Sequence, residues 1–186
     1  MIKKSRRHEI DEIYDKIAED TIWDISIPNF DVVRYLKSKD LPVCGDYMPY
    51  RGSNPIETVS LIADDMIHGF YNCIIINNAI LSRRESSWMY YRRYLLAREY
   101  GYIQLYKNDS HCYCHTSYEK DFTRKRNEAE YFARYFLMPT ASMKEFCHRD
   151  GFKAYTKKEK CMSVALAFGV PIQIAKKRLK ELNEYK

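Results

Sequence analysis

The stretch that most constrains this chain runs from Ser86 to Tyr106. Ser86 and Ser87 are residues that satisfy free N–H groups at a helix start, and they predict a long helix continuing to Tyr106. Within it fall Tyr90, Tyr91, Tyr94, Tyr100, Tyr102 and Tyr106, out of 17 tyrosines in the sequence. A phenol ring joins a large apolar area to one polar handle. About half of these rings are expected in the core and the others on a binding surface. The rest of the chain has to be arranged around this helix.

Composition sets outer bounds. At 186 residues the chain has the length of one domain and can bury a real core. Apolar residues make up 46% and charged residues 30%, which is ordinary for a globular protein. A net charge of +6 and a pI of 8.9 permit weak attraction to nucleic acid or acidic partners without requiring it. No apolar run approaches the roughly 18 residues a membrane span needs. The first residues, MIKKSRRHEIDEIYDKI, lack the apolar segment of a signal peptide. The six cysteines are therefore read as reduced thiols of a cytoplasmic protein.

Taken in order, Glu9 to Asp20 repeats Ile10, Ile13, Tyr14 and Ile17 at helical spacing, with the basic KKSRR before it as a solvated end. A second helix is predicted after Pro28, capped by Asn29 or Asp31, with Val32, Val33 and Leu36 inward. Leu41 to Cys44 reads as a brief strand and Gly45 to Pro55 as loop. Thr58 to Ala63 and Cys73 to Asn77 read as strands, paired antiparallel across Asp64, Asp65 and Gly69. After the long helix, Lys107 to Arg126 reads as a polar loop, and NEAEYFARYFLMP as a helix ended by Pro139. From Lys157 two helices are expected, broken at Phe168-Gly169-Val170-Pro171. The second carries Ile172, Ala175 and Leu179 as its apolar stripe, with Lys176, Lys177, Arg178 and Lys180 around it. A helical hairpin closing the core is the expected role, and a helix-turn-helix reader of DNA the alternative.

The long helix also carries a chemical pattern. In the motif H-E-x-x-H two imidazoles one turn apart bind Zn²⁺, and the Glu takes a proton from the metal-bound water. Arg98-Glu99-Tyr100-Gly101-Tyr102 keeps that frame and its Glu but replaces both imidazoles. A shift of the sequence does not restore the motif, because no His occurs between His68 and His111.

Several segments together resemble the ImmA/IrrE family of zinc metallo-endopeptidases: IPNFDVVRYLKSKDLPV, CIIIN, YRRYLLAREYGYIQL against the family's lead into A-H-E-L-G-H, NEAEYFARYFLMP against E-A-N/D-x-F-A-x-x-L-L-M-P, and the tail LAFGVPIQIAKKRL. The resemblance covers nearly the whole chain. It implies an α+β, zincin-like fold over residues 1–155, with helices on a small, mostly antiparallel sheet, and a C-terminal hairpin at 156–186 packed on the same domain. It places Glu99 at the general-base position and Glu128 at the third metal ligand, with Arg98 and Tyr102 in place of the two ligand histidines. Ala97 and Gly101 keep the small positions beside them.

Those replacements remove the chemistry. Guanidinium has no lone pair to donate and stays protonated, and a phenol is a poor ligand while its pKa sits near 10. Without a metal, Glu99 has no acidified water to deprotonate. Arg98 is expected to pair with Glu128, with the Tyr102 hydroxyl filling the remaining space, so that a fixed cation stands between two carboxylates. The alternative is an Arg98 that points to solvent. His111, Cys112, Cys114 and His115 offer soft ligands for a displaced zinc site, but C-x-C is tighter than the usual spacing, and incidental thiols in a loop are expected.

The expectation for function is a non-catalytic relative of these peptidases, without a cofactor. It would belong to a phage or mobile element and bind a protein partner such as a helix-turn-helix repressor. The alternative is an active zinc endopeptidase that cleaves such a repressor at an unusual metal site. A third reading, DNA binding through Lys176, Lys177 and Arg178, predicts salt-dependent affinity.

Overall fold

A helix buried on every side needs neighbours all round it, and the order of elements supplies them. The computed structural model describes residues 2–22, 24–46, 50–51, 54–55, 58–61, 73–106 and 122–185. Helix α1 (Lys4–Glu19) and helix α2 (Val32–Ser38) precede strands β1 (Val43–Asp46), β2 (Tyr50–Arg51), β3 (Asn54–Pro55), β4 (Thr58–Leu61) and β5 (Cys73–Asn77). Helices α3 (Asn78–Leu81), α4 (Ser86–Tyr106), α5 (Phe122–Leu137), α6 (Thr140–Cys147), α7 (Lys157–Phe168) and α8 (Ile172–Glu181) follow, with a 3-10 turn at Phe152–Ala154.

The main sheet has the order β1-β5-β4. All five residues of β5 are buried, as in a strand covered on both faces and paired on both edges. β4 runs antiparallel to it, with Val59 opposite Ile75. β1 runs parallel, with Cys44 opposite Ile75, a pairing outside the mostly antiparallel sheet expected above. β2 and β3 form a separate two-residue antiparallel ladder within the stretch read as loop.

The helices refine the expectations at their ends. α1 starts at Lys4, so the basic segment read as a solvated end is helical. Asp31 caps α2 by accepting from Arg34 N at 3.0 Å. Its inward residues are Val32, Tyr35 and Leu36, whereas Val33 is 51% exposed, because i, i+3, i+4 is the spacing of one helix face. α5 begins at Phe122, inside the stretch expected to be loop to Arg126. α6 was not foreseen: Pro139 both ends α5 and sits at the entrance of the next helix.

α4 owes its central place to its middle. Every residue from Tyr94 to Ile103 is buried. Gly101 faces Ala129 and Phe132 of α5, and Ala97, Ala129 and Ala133 are all fully buried. A Cβ on Gly101 would meet Phe132 Cδ1 at 2.8 Å and the Ala129 carbonyl at 3.1 Å, so only glycine lets the two helices come this close. On the other side the Tyr35 and Tyr100 hydroxyls lie 3.1 Å apart, giving both buried phenols a partner.

The tail joins the same core through Val164, Phe168, Ile174 and Leu179. Gly169 adopts the left-handed conformation (φ 59°), and Val170 N closes on the Ala165 carbonyl at 3.0 Å. Arg93 of α4 donates to the Phe168 and Gly169 carbonyls at the end of α7 and to the Phe30 carbonyl before α2. In α8 the buried side chains are Ile174, Ala175, Arg178 and Leu179, so Ile174 takes the inward place expected of Ile172. Arg178 is 2% exposed and donates to the Met138 carbonyl and to Thr140 Oγ1, both at 2.9 Å. It is not one of the solvated cations around the stripe, as the sequence reading had it.

Candidate functional site

Adjacent residues on a helix point about 100° apart, so Arg98 and Glu99 should face different neighbours. The Arg98 side chain instead turns back on Glu99. Its Nε and Nη2 donate to Glu99 Oε1 at 3.3 and 3.1 Å. Arg98 is 4% exposed and Glu99 0%, so this is a buried ion pair and not the solvent-facing guanidinium of the alternative reading.

Glu128 lies on α5, facing α4, and is balanced from a different direction. Arg6 Nε of α1 donates to its Oε2 at 2.7 Å, the Tyr106 hydroxyl donates to the same oxygen at 2.6 Å, and Arg124 Nη1 approaches Oε1 at 3.4 Å. The pairing of Arg98 with Glu128 expected above is therefore corrected: Arg98 meets Glu99, and Arg6 meets Glu128. The reason is reach. α1 packs on α5 and carries Arg6 to the carboxylate, while Glu99 is already beside Arg98.

Tyr102 is buried next to Tyr106, ring centroids 6.4 Å apart, and packs on Ala129. Burial, reinforced by the Glu99 carboxylate, holds its phenol well above the ordinary tyrosine range. Burial and the Glu128 carboxylate do the same to Tyr106. Both rings stay protonated at neutral pH, which suits a hydroxyl that donates to a carboxylate.

These groups do not fit a zinc ion. On the register that the resemblance implies, the first ligand position would hold a cation, the second a phenol pushed away from ionisation, and the third a carboxylate already taken by a guanidinium and a hydroxyl. Glu99 is also closed to solvent, so it cannot present a base to a water molecule there. What Glu128 can do is tie α1, α4 and α5 together through Arg6 and Tyr106, while Arg98 and Glu99 balance each other within α4. Among the described residues no three His, Cys, Asp or Glu side chains converge on one point. His111, Cys112, Cys114 and His115 lie outside the described residues. Cys147 is buried while the neighbouring His148 is exposed, so those two diverge.

Sequence reasoning placed Glu99, Arg98, Tyr102 and Glu128 correctly on two facing helices. It missed Arg6 and Arg124, and it named Tyr106 only among the tyrosines of the long helix, not as the partner of Glu128. A signal for Arg6 existed: it precedes Ile10 by four and Ile13 by seven, which puts it on the inward stripe of α1.

No family model matches the chain, and a search of curated proteins returns no match.

Proposed function

We propose that this chain is a non-catalytic relative of the ImmA/IrrE zinc endopeptidases, built on an α+β zincin-like frame. It works in the cytoplasm of a cell carrying a phage or mobile element and holds a protein partner, a helix-turn-helix repressor. One observation carries the reading: the Arg98 guanidinium is buried against the carboxylate that stands at the general-base position. A catalytic base has to reach water or substrate, and Glu99 faces an internal cation instead. The frame is supported by the order of β5, α4 and α5, with Glu99 and Glu128 on neighbouring helices and Gly101 in the close seam between them.

The test is zinc content of protein purified without a metal-binding tag, together with cleavage assays on a helix-turn-helix repressor. Zinc far below one per chain and an intact repressor are expected, for both the natural chain and Glu99→Gln. Metal-dependent cleavage that disappears in Glu99→Gln would instead establish the zinc endopeptidase alternative.

A further inference from the structure

A groove of about 540 Å³ opens between the start of α4 and the α7–α8 hairpin. Trp88 and Tyr91 form one wall, Met162 and Leu166 the other, and Val170 and Ile172 close it at the turn. Leu166 is 65% exposed and Ile172 49%. A cluster of exposed apolar side chains around a concavity marks a place where another surface docks.

The spacing of charges indicates what docks there. Lys158, Met162 and Leu166 follow one another four residues apart and so lie in line along α7. Ile172, Lys176 and Lys180 lie in line along α8 in the same way. Both helices of the hairpin are thus apolar near the turn and end in lysine. At that far end the Nζ atoms of Lys157, Lys176 and Lys180 sit 5.7, 5.6 and 5.2 Å from the Tyr185 ring centre. The acids on these helix ends are Glu159, Glu181 and Glu184; the Glu159 carboxylate is occupied by Thr156 as a helix cap, and the Glu181 carboxylate is turned inward to Arg134 and Arg178. The far end therefore carries an excess of positive charge beside an apolar trough.

We propose that this groove binds an amphipathic helix of a partner protein, its apolar face in the trough and acidic residues at the end that meets Lys158, Lys176 and Lys180. Nucleic acid would engage the lysines but leave the apolar walls uncovered. The proposal rests on the reading that the chain acts by holding a protein partner, and it specifies where and by what chemistry.

The test uses the full chain and three labelled probes: an amphipathic peptide with leucines at helical spacing and glutamates at one end, its twin with lysines for the glutamates, and a DNA duplex. Titration should show binding of the acidic peptide and at least about tenfold weaker binding of the lysine twin and the duplex. Leu166→Glu should abolish binding. Lys176→Glu with Lys180→Glu should weaken it about tenfold and remove most of its salt dependence. These side chains are exposed, so circular dichroism and the thermal midpoint should stay unchanged and exclude misfolding. Equal binding of the two peptides, unchanged affinity in Leu166→Glu, or preference for the duplex would overturn the proposal. So would a dimer that Leu166→Glu splits and that leaves the peptide unbound, since the occupant would then be a second copy. A chain that holds no zinc, cleaves nothing and also ignores the acidic peptide keeps the non-catalytic reading and loses this one.

Discussion

Arg98 and Arg6 are guanidiniums facing carboxylates, but their surroundings give them different weights. Arg98 and Glu99 are both inside, where removing one partner of an ion pair typically costs about 3–5 kcal/mol. Arg98→Met should lower unfolding free energy by that amount in urea titration, and adding Glu99→Leu should restore most of it. Glu128 keeps the Tyr106 hydroxyl and Arg124 when Arg6 is lost, so Arg6→Ala should cost only about 1–3 kcal/mol. A larger loss for Arg6→Ala than for Arg98→Met would show that Glu128, not Glu99, is the charge most in need of balance. That Arg98 and Tyr102 are poor metal ligands was legible in the sequence, because it follows from side-chain chemistry alone. Which carboxylate each guanidinium meets was not, because Arg6 and Glu128 are 122 positions apart.

At the scale of elements, the α4–α5 seam is where sequence and structure agree most closely. Ala97 and Gly101 read as small positions flanking the motif, and at Gly101 the structure shows what the smallness is for. In Gly101→Ala the new methyl would press on the buried Phe132 ring and on the α5 backbone at Ala129. Overpacking of this kind costs about 1–3 kcal/mol, against the ~1 kcal/mol that Ala gains over Gly in a helix. Since α5 backbone must shift to relieve it, a net loss is expected and should appear as a lower urea midpoint with unchanged slope. A rise in the midpoint would mean that the seam has room to spare. The frame itself can be tried by restoring the ligands. Arg98→His together with Tyr102→His returns two imidazoles one turn apart on α4, and gain of a tightly held zinc ion is expected from the proposed zincin-like register. A double variant that folds and holds no zinc would sink that register.

Across the whole molecule, burial of tyrosines and cysteines links stability to pH. Burial pushes the Cys147 thiol up to about 11, and the Cys73 thiol, with Cys44 beside it, up to about 12. It pushes the Tyr94 phenol up to about 12. Each group is neutral when protonated, and its folded value lies above the unfolded one. The native state therefore keeps protons that the unfolded chain releases once pH passes the unfolded values of about 8.5 for Cys and about 10 for Tyr. Stability from these groups is full below about pH 8.5 and falls as pH rises toward 11 and 12, by about 1.4 kcal/mol per pH unit for each group in that window. Urea midpoints at about pH 7.5 and about pH 10.5 should differ clearly; equal midpoints would show that the thiols and phenols ionise freely in the fold.

Taken alone, the sequence determined the local features of this protein. Helical periodicity located α1 from Glu9 onward and the hairpin helices, and left the cap of α2 between Asn29 and Asp31. The left-handed turn at Gly169 followed from a residue without a Cβ. The strand CIIIN followed from an apolar run of strand length. Tertiary structure decided the pairings between elements: β1 parallel to β5, Arg6 on Glu128, Arg178 turned inward to the Met138 carbonyl, and Ile174 in place of Ile172 against the core. Periodicity shows that a helix has an inward stripe. Which stripe of which neighbour it meets depends on how far two backbones can approach, and at the centre of this fold Gly101 sets that distance.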